Sequence, residues 1–363
     1  MSIVRSIADS ARDLVIRGQE SNASDAILSV IDSHSLQGSP LAKNEAHLVA
    51  QATSILEGYG PLQEYLDNPE IEELWSNRPD ELFVASGLRV ERIKLELSQQ
   101  DLKTILLRML RHSGRRIDRT LPFADAALPD GSRLHVVIPE ITARHWTFNL
   151  RKFPTTIMTL RDLVDRNSLQ PAHAEFLSDA VKQGLNILVS GATHAGKTTL
   201  LCALLNELQP DVRLVSCEET FEIRSNLPDW IAMQTRQPNL EGEGEIPLRR
   251  LVKEALRMRP SRLVIGEVRE AEALDLLIGM NSGIAGMCTI HANSPQAALT
   301  KLGTLPLLAG PNISSEFVQA TILGAVHLVV QCTNDQRLGR RISNISRVSA
   351  GPNGTPIATE VLF

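Results

Sequence analysis

The sequence predicts an α/β protein: a parallel sheet covered by helices on both faces fills the second half, behind a smaller α+β domain. Three observations predict it. Apolar strand-like runs alternate with helix-periodic segments beyond residue 170, at Asn186 to Ser190, Arg213 to Cys217, Arg262 to Gly266, Met287 to His291 and His327 to Cys332. Between the first run and the helix-like stretch Leu200 to Leu208 stands GATHAGKTT, which fits the phosphate-loop pattern GxxxxGK[ST] in its strand–loop–helix setting. The first 150 residues instead mix helical periods with short strand-like runs.

The elements follow in order. Ile3, Val4, Ile7, Ala11, Leu14 and Val15 keep helical spacing, so Ser2 to Val15 is an amphipathic helix. Helices are expected over Ser24 to Ser33, with Ser24 as N-cap, and over Lys43 to Glu57, ending at the breaker Gly58-Tyr59-Gly60-Pro61. Glu72 to Leu74, Leu82 to Val84 and Leu88 to Leu97 read as strands, and Gln100 to Arg111 returns to helical spacing. Pro154 and polar interruptions mark Arg151 to Gln170 as a connecting stretch, with the boundary near Phe153. Leu248, Leu251, Val252, Ala255 and Leu256 form the apolar stripe of a helix over Leu248 to Arg259. The expected organisation is a helical segment at 1–64, an α+β domain at 65–152, a linker at 153–170 and a nucleotide-binding domain at 171–363.

Composition narrows the function. In 363 residues, 43% are apolar and 22% charged, enough for two domains with substantial cores. No apolar run approaches the roughly 20 residues that span a bilayer, and Arg5, Asp9, Arg12 and Asp13 interrupt any signal-peptide core, so a cytoplasmic protein is expected. The four cysteines form no CxxC pair, which points to small core residues rather than to a disulfide framework or a zinc site. A net charge of −5 and 4% aromatic residues argue against nucleic acid as a partner.

The phosphate loop sets the chemistry. Gly191 and Gly196 let backbone N–H groups turn inward onto phosphate oxygens at a helix N-terminus. Lys197 reaches the β/γ-phosphates, Thr198 offers a hydroxyl to Mg²⁺, and Thr199 adds a second near the α-phosphate. Ala192, Thr193, His194 and Ala195 complete the phosphate-binding stretch, His194 standing where many such loops carry glycine. In RLVIGEVRE an apolar strand ends in Gly266-Glu267, placing a carboxylate where it holds Mg²⁺ through water or orients the attacking water. SCEETFEI gathers Glu218, Glu219 and Glu222, either a solvated acidic turn or carboxylates for Mg²⁺ and general-base work. CTIHANS puts His291 at a strand end, either structural or placed to donate to the γ-phosphate.

The order phosphate loop, acidic turn, Gly-Glu strand and His-Ala-Asn resembles the type II/type IV secretion and pilus-assembly ATPase superfamily, with its Walker A loop, Asp box, Walker B and His box. RQPNLEGEGEIPLRRLVKEALRMRPSRLVIGEVRE, NSGIAGMCTIHANSPQAAL, GYGPLQEYLDNPEIEELWSNRPDELFV and LPDGSRLHVVIP are similar to the CpaF branch, the motors of tight-adherence (Flp/Tad) pili. The resemblance implies a RecA-like P-loop NTPase core, ATP with Mg²⁺, and a ring of six copies on an inner-membrane platform protein. It implies Lys197, Glu222, Glu267 and His291 as catalytic residues, Glu222 being the general base, and Thr198, Glu267 and Glu218 as the Mg²⁺ set. It also implies nucleotide contacts from the first domain: Arg108, Arg111, Arg115, Arg116 and Arg119 crowd one stretch, and Arg133 and Arg151 match the nucleotide clamp. The chain falls on the zinc-free side of the superfamily. Two departures, Glu219 for the usual aspartate and Ile284 for the usual histidine of Thr-Gly-His, imply slower hydrolysis. Two other functions fit the same fold: a nucleotide-gated scaffold with negligible turnover, and a DNA-translocating motor.

Overall fold

The computed structural model describes residues 2–36, 45–87, 89–113, 115–153, 157–238, 242–335 and 337–363. Chain contacts divide it into two compact units, Met1–Thr155 and Thr156–Phe363.

The first unit starts with α1 (Ser2–Ile16), α2 (Ala23–Leu36) and α3 (Glu45–Leu56). Their apolar stripes close on a core of their own that includes Ile7, Ala11, Ile27, Ile31 and Ala52. α2 starts earlier than the sequence suggests, because Asn22 rather than Ser24 caps it, its Oδ1 accepting from the Asp25 N–H at 2.9 Å. Lys43 and Asn44, expected at the start of α3, lie outside the described residues. Next come α4 (Gln63–Asp67), β1 (Glu73–Ser76), β2 (Glu81–Ser86), β3 (Arg89–Lys94), α5 (Gln99–His112), β4 (Phe123–Ala127), β5 (Arg133–Val137) and β6 (Thr147–Arg151). The strands form an antiparallel sheet in the order β3-β2-β1-β6-β5-β4. A capping box of Ser98 and Asp101 starts α5. Leu102, Leu106 and Met109 then bury α5 in one core with Leu74, Leu134 and Leu150 of the sheet.

The second unit opens with α6 (Leu160–Asp165) and α7 (Pro171–Lys182), then β7 (Ile187–Gly191), α8 (Lys197–Leu205), β8 (Leu214–Glu218), β9 (Trp230–Gln234) and α9 (Leu248–Ala255). It continues through β10 (Arg262–Ile265), α10 (Glu272–Asn281), β11 (Ala285–His291), α11 (Pro295–Thr304), α12 (Ser315–Ala325), β12 (Leu328–Asp335), β13 (Gly339–Ala350) and β14 (Pro356–Glu360). The stretch 153–170, expected as a linker, carries α6: Thr159 and Asp162 form its capping box, and Leu160, Leu163 and Leu169 are buried in the second unit's core. Pro154 lies outside the described residues.

The second sheet runs β14-β13-β12-β7-β11-β10-β8-β9, parallel from β12 to β9 and antiparallel from β12 to β14. Leaving out the edge strand β9, its parallel strands stand fifth, first, fourth, third and second in chain order, the arrangement of a RecA-like nucleotide-binding core. β7, β8 and β10 are buried at every position, since helices cover both faces. One core lies between one face and α9 to α12, the other between the opposite face and α6 to α8. All five expected strands are present; β9, β13 and β14, with their polar residues and partial exposure, carry no buried-strand signal. No helix among the described residues is long and apolar enough to cross a membrane. All four cysteines are buried, and burial pushes the thiols of Cys217, Cys288 and Cys332 up to about 12.

Candidate nucleotide site

β7 is the first parallel strand, and both its neighbours, β11 and β12, come much later in the chain. The connection leaving its carboxyl end therefore opens at a switch point of the sheet, where ligands bind in such folds. Residues 192–196 make that connection and α8 follows at once. Two glycines are required. A Cβ on Gly191 would stand 2.5 Å from the Cys332 carbonyl oxygen, so only glycine lets the loop pass β12. Gly196 sits at φ +89°, in the left-handed region, as the residue that turns the chain into α8.

Lys197, the first residue of α8, is 8% exposed. Its Nζ donates to the Ala192 carbonyl at 2.9 Å and lies 3.1 Å from His291 Nδ1. Lys197 can donate to that nitrogen only when it is unprotonated, which leaves the proton on Nε2. That nitrogen is 2.7 Å from Glu267 Oε1, an electrostatic contact whose angle falls short of a hydrogen bond. Burial and then the Lys197 charge hold the His291 imidazole below its ordinary range, so the neutral form belongs here near pH 7. An open cleft of about 410 Å³ adjoins, lined by Ala192, Thr193, His291, Asn293 and Lys301.

The acidic residues are organised by a cation that sequence reasoning missed. Arg269 Nη1 reaches Glu219 Oε2 and Nη2 reaches Glu267 Oε2, each at 2.8 Å. Burial pushes the Glu267 carboxyl up, but the Arg269 hydrogen bond and the charges of Arg269, His291 and Lys197 bring it below its ordinary value. The crowded carboxylates thus have an arginine between them and need neither a bound cation nor a shared proton to coexist. The sign of it in the sequence was Arg269 itself, two residues after Glu267 in RLVIGEVRE.

Glu218, expected among the metal ligands, holds backbone. Its carboxylate is 2% exposed, and Oε2 accepts from the Glu222 and Ile223 N–H groups at 2.7 and 2.8 Å. Those two bonds shape the acidic turn, so that Glu222 Oε2 accepts from the Thr198 hydroxyl at 3.3 Å. Thr199 lies in the first turn of α8, half-buried, while Ala192, Thr193 and His194 are exposed. Lys197, Thr198, Glu222, Glu267 and His291 are therefore linked side by side at the carboxyl ends of the parallel strands.

Elsewhere the residues divide. Arg133 and Arg151 face each other across β5 and β6 in the first unit. Arg108 donates to the carbonyls of Ile55 and Gly58, and exposed Arg119 pairs with Glu140 at 2.8 Å, so both have partners within their own unit. Ile284 precedes β11 and packs on the core, at the end of the strand away from His291. At about 3.3 Å per residue, the strand sets it roughly 20 Å from the site, so this departure removes no donor there.

The likenesses to known proteins agree with this geometry. The family described as type II/IV secretion system protein matches residues 56–359. A putative conjugal transfer protein of Mycobacterium tuberculosis (strain ATCC 25618 / H37Rv) is 32% identical over 299 residues, covering 80% of this chain and 84% of that protein. The probable conjugal transfer protein TrbB of Sinorhizobium fredii is 30% identical over 294 residues, covering 80% and 86%. The ATPase DotB of Legionella pneumophila shares the fold, with a TM-score of 0.53 at 17% identity over 81% of this chain and 80% of that one. The chain belongs to the type II/IV secretion system protein family and is a phosphate-loop ATPase.

Proposed function

We propose that this member of the type II/IV secretion family hydrolyses ATP with Mg²⁺ to drive pilus assembly or protein export. It would work as a cytoplasmic ring of six copies, peripheral to the inner membrane on a platform protein, in the CpaF-like branch that serves tight-adherence pili. The observation that carries the reading is the linked set Lys197–His291–Glu267–Arg269 beside the phosphate loop.

The residues fit Mg²⁺. Thr198 and Glu267 offer oxygen ligands of the kind that ion takes, and Glu267 is held anionic. That ion would supply positive charge against the charge that develops on the phosphate oxygens. Thr198 and Glu267 would hold it, with Glu218 shaping the turn around it. Lys197 would exchange the Ala192 carbonyl and His291 for the β/γ-phosphates. Glu222, already bonded to Thr198, is the general base that orients water in line with the γ-phosphate, and His291 is left facing Glu267 to report phosphate loss. Residues 191–199 bind the triphosphate, and Arg133 and Arg151 add phosphate contacts.

The likeness to conjugal transfer proteins supports export machinery in general rather than one cargo. It also favours a second reading, a motor of conjugal transfer, which DNA-stimulated and salt-sensitive ATPase activity would reveal.

The test is phosphate release by the purified protein with MgATP across a protein concentration series. Lys197→Ala should lose about 3–4 kcal/mol of transition-state stabilisation, more than a hundredfold in turnover. Undiminished turnover in Lys197→Ala would contradict the proposal.

A further inference from the structure

We infer that Arg340 is a positioning residue that holds the phosphate loop in its binding shape. This rests on the nucleotide reading of the loop and adds to it a residue from the antiparallel part of the sheet.

The loop carries a strained residue. His194 has φ +61°, in the left-handed region that glycine enters freely and a residue with a Cβ enters only under constraint. The constraint is visible across from it. Arg340 lies on β13, just after the turn from β12, and its Nε donates to the His194 carbonyl at 2.9 Å. Its side chain also covers the end of the loop: Cδ and Cβ stand 3.9 and 4.0 Å from where a Cβ on Gly196 would be. Nor can the hairpin drift from the loop, because β12 pairs with β7 up to Cys332 and Gly191, and β13 pairs with β12 opposite Asn334.

A trans peptide points its C=O and N–H in opposite directions. With the His194 carbonyl drawn toward Arg340, the Ala195 N–H is sent to the concave side of the loop. It donates there to the Ala192 carbonyl at 3.3 Å, the same oxygen that accepts from Lys197 Nζ at 2.9 Å. Two donors suited to a phosphate thus converge on one backbone acceptor, which stands in for a phosphate oxygen. Arg340 fixes the first of these donors, and a loop with glycine at 194 would depend on it less.

The experiment is a double-mutant cycle on the full chain: Arg340→Ala, His194→Gly and both together. One readout is the affinity for a fluorescent ATP analogue; the other is amide hydrogen exchange of residues 191–197 without nucleotide. Arg340→Ala should weaken binding about five- to tenfold in the parent loop and less than about twofold beside His194→Gly, a coupling of ordinary size for groups in contact. Arg340→Lys, which keeps the charge and lacks Nε, should behave as Arg340→Ala. Exchange should quicken in the same pattern. An equal loss in both loops, or full rescue by lysine, would overturn the inference and make Arg340 a direct charge contact; no change in either readout would also overturn it. If the parent protein binds no nucleotide, the reading of the site fails, and the exchange cycle still decides the role of Arg340.

Discussion

The two ends of the parallel strands in the second unit use their polar side chains differently. At the amino ends, side chains bond to backbone. Asn186 Nδ2 donates to the Ala325 carbonyl while its Oδ1 accepts from the Gly286 N–H at 2.7 Å. The His327 Nδ1 accepts from the Asn186 N–H at 2.9 Å, and buried Arg262 donates to the Val181 carbonyl at 2.8 Å. At the carboxyl ends, charged and titratable side chains mostly pair with one another, by hydrogen bonds or electrostatic contact, through Lys197, His291, Glu267, Arg269 and Glu219. A backbone carbonyl has one place to go, so the first arrangement locks strands in register. Side chains that hold each other can change partners when a triphosphate arrives, and the second arrangement leaves the fold standing while they do.

The largest expected effect on stability therefore lies far from the chemistry. Asn186→Ala leaves the Ala325 carbonyl and the Gly286 N–H without their partner in a buried place, and should lower stability by about 2–6 kcal/mol at roughly 1–3 kcal/mol per orphaned group. Turnover per folded molecule should stay near that of the parent. Urea unfolding followed by an activity assay on the folded fraction checks both; a normal unfolding midpoint with lost activity would break the contrast.

The smaller effect sharpens it. Arg269→Ala removes the cation that keeps the Glu267 carboxyl low, so the carboxylate would take its proton at a higher pH. Activity should fall about tenfold, equivalent to about 1.4 kcal/mol of lost stabilisation at the carboxylate that would hold Mg²⁺. The acid limb of the kcat profile should move to higher pH, with the deficit widening as the pH falls and narrowing as it rises. An unshifted limb would mean that Arg269 acts on something other than Glu267. The thermal midpoint should change little, since the lost pairs are partly exposed.

The same contrast explains how much was legible in the sequence. The parallel strands were readable because burial on both faces leaves unbroken apolar runs, and the phosphate loop because its glycines meet constraints that no other residue satisfies, as Gly191 does against Cys332. Glu267 and His291 were readable because they stand where such runs stop. β4, β5 and β6 went unread, being half-exposed antiparallel strands with polar residues such as Asp125, His135 and Asn149 between their apolar ones. Arg269 and Arg340 went unread because what matters in each is a distance across the fold: Arg269 meets a glutamate 50 residues earlier, and Arg340 a carbonyl 146 residues earlier. Of Glu218 the sequence showed a carboxylate and not the two N–H groups from which its Oε2 accepts.

The linked charges at the carboxyl ends should form a working hydrolytic site and not only a nucleotide cradle. Single-turnover ATP binding and phosphate release, measured together on the wild-type protein and Glu267→Gln, test it most directly. Both should bind ATP with similar affinity, and only the wild type should release phosphate. Tight binding without release in the wild type, or release at the wild-type rate in Glu267→Gln, would contradict this.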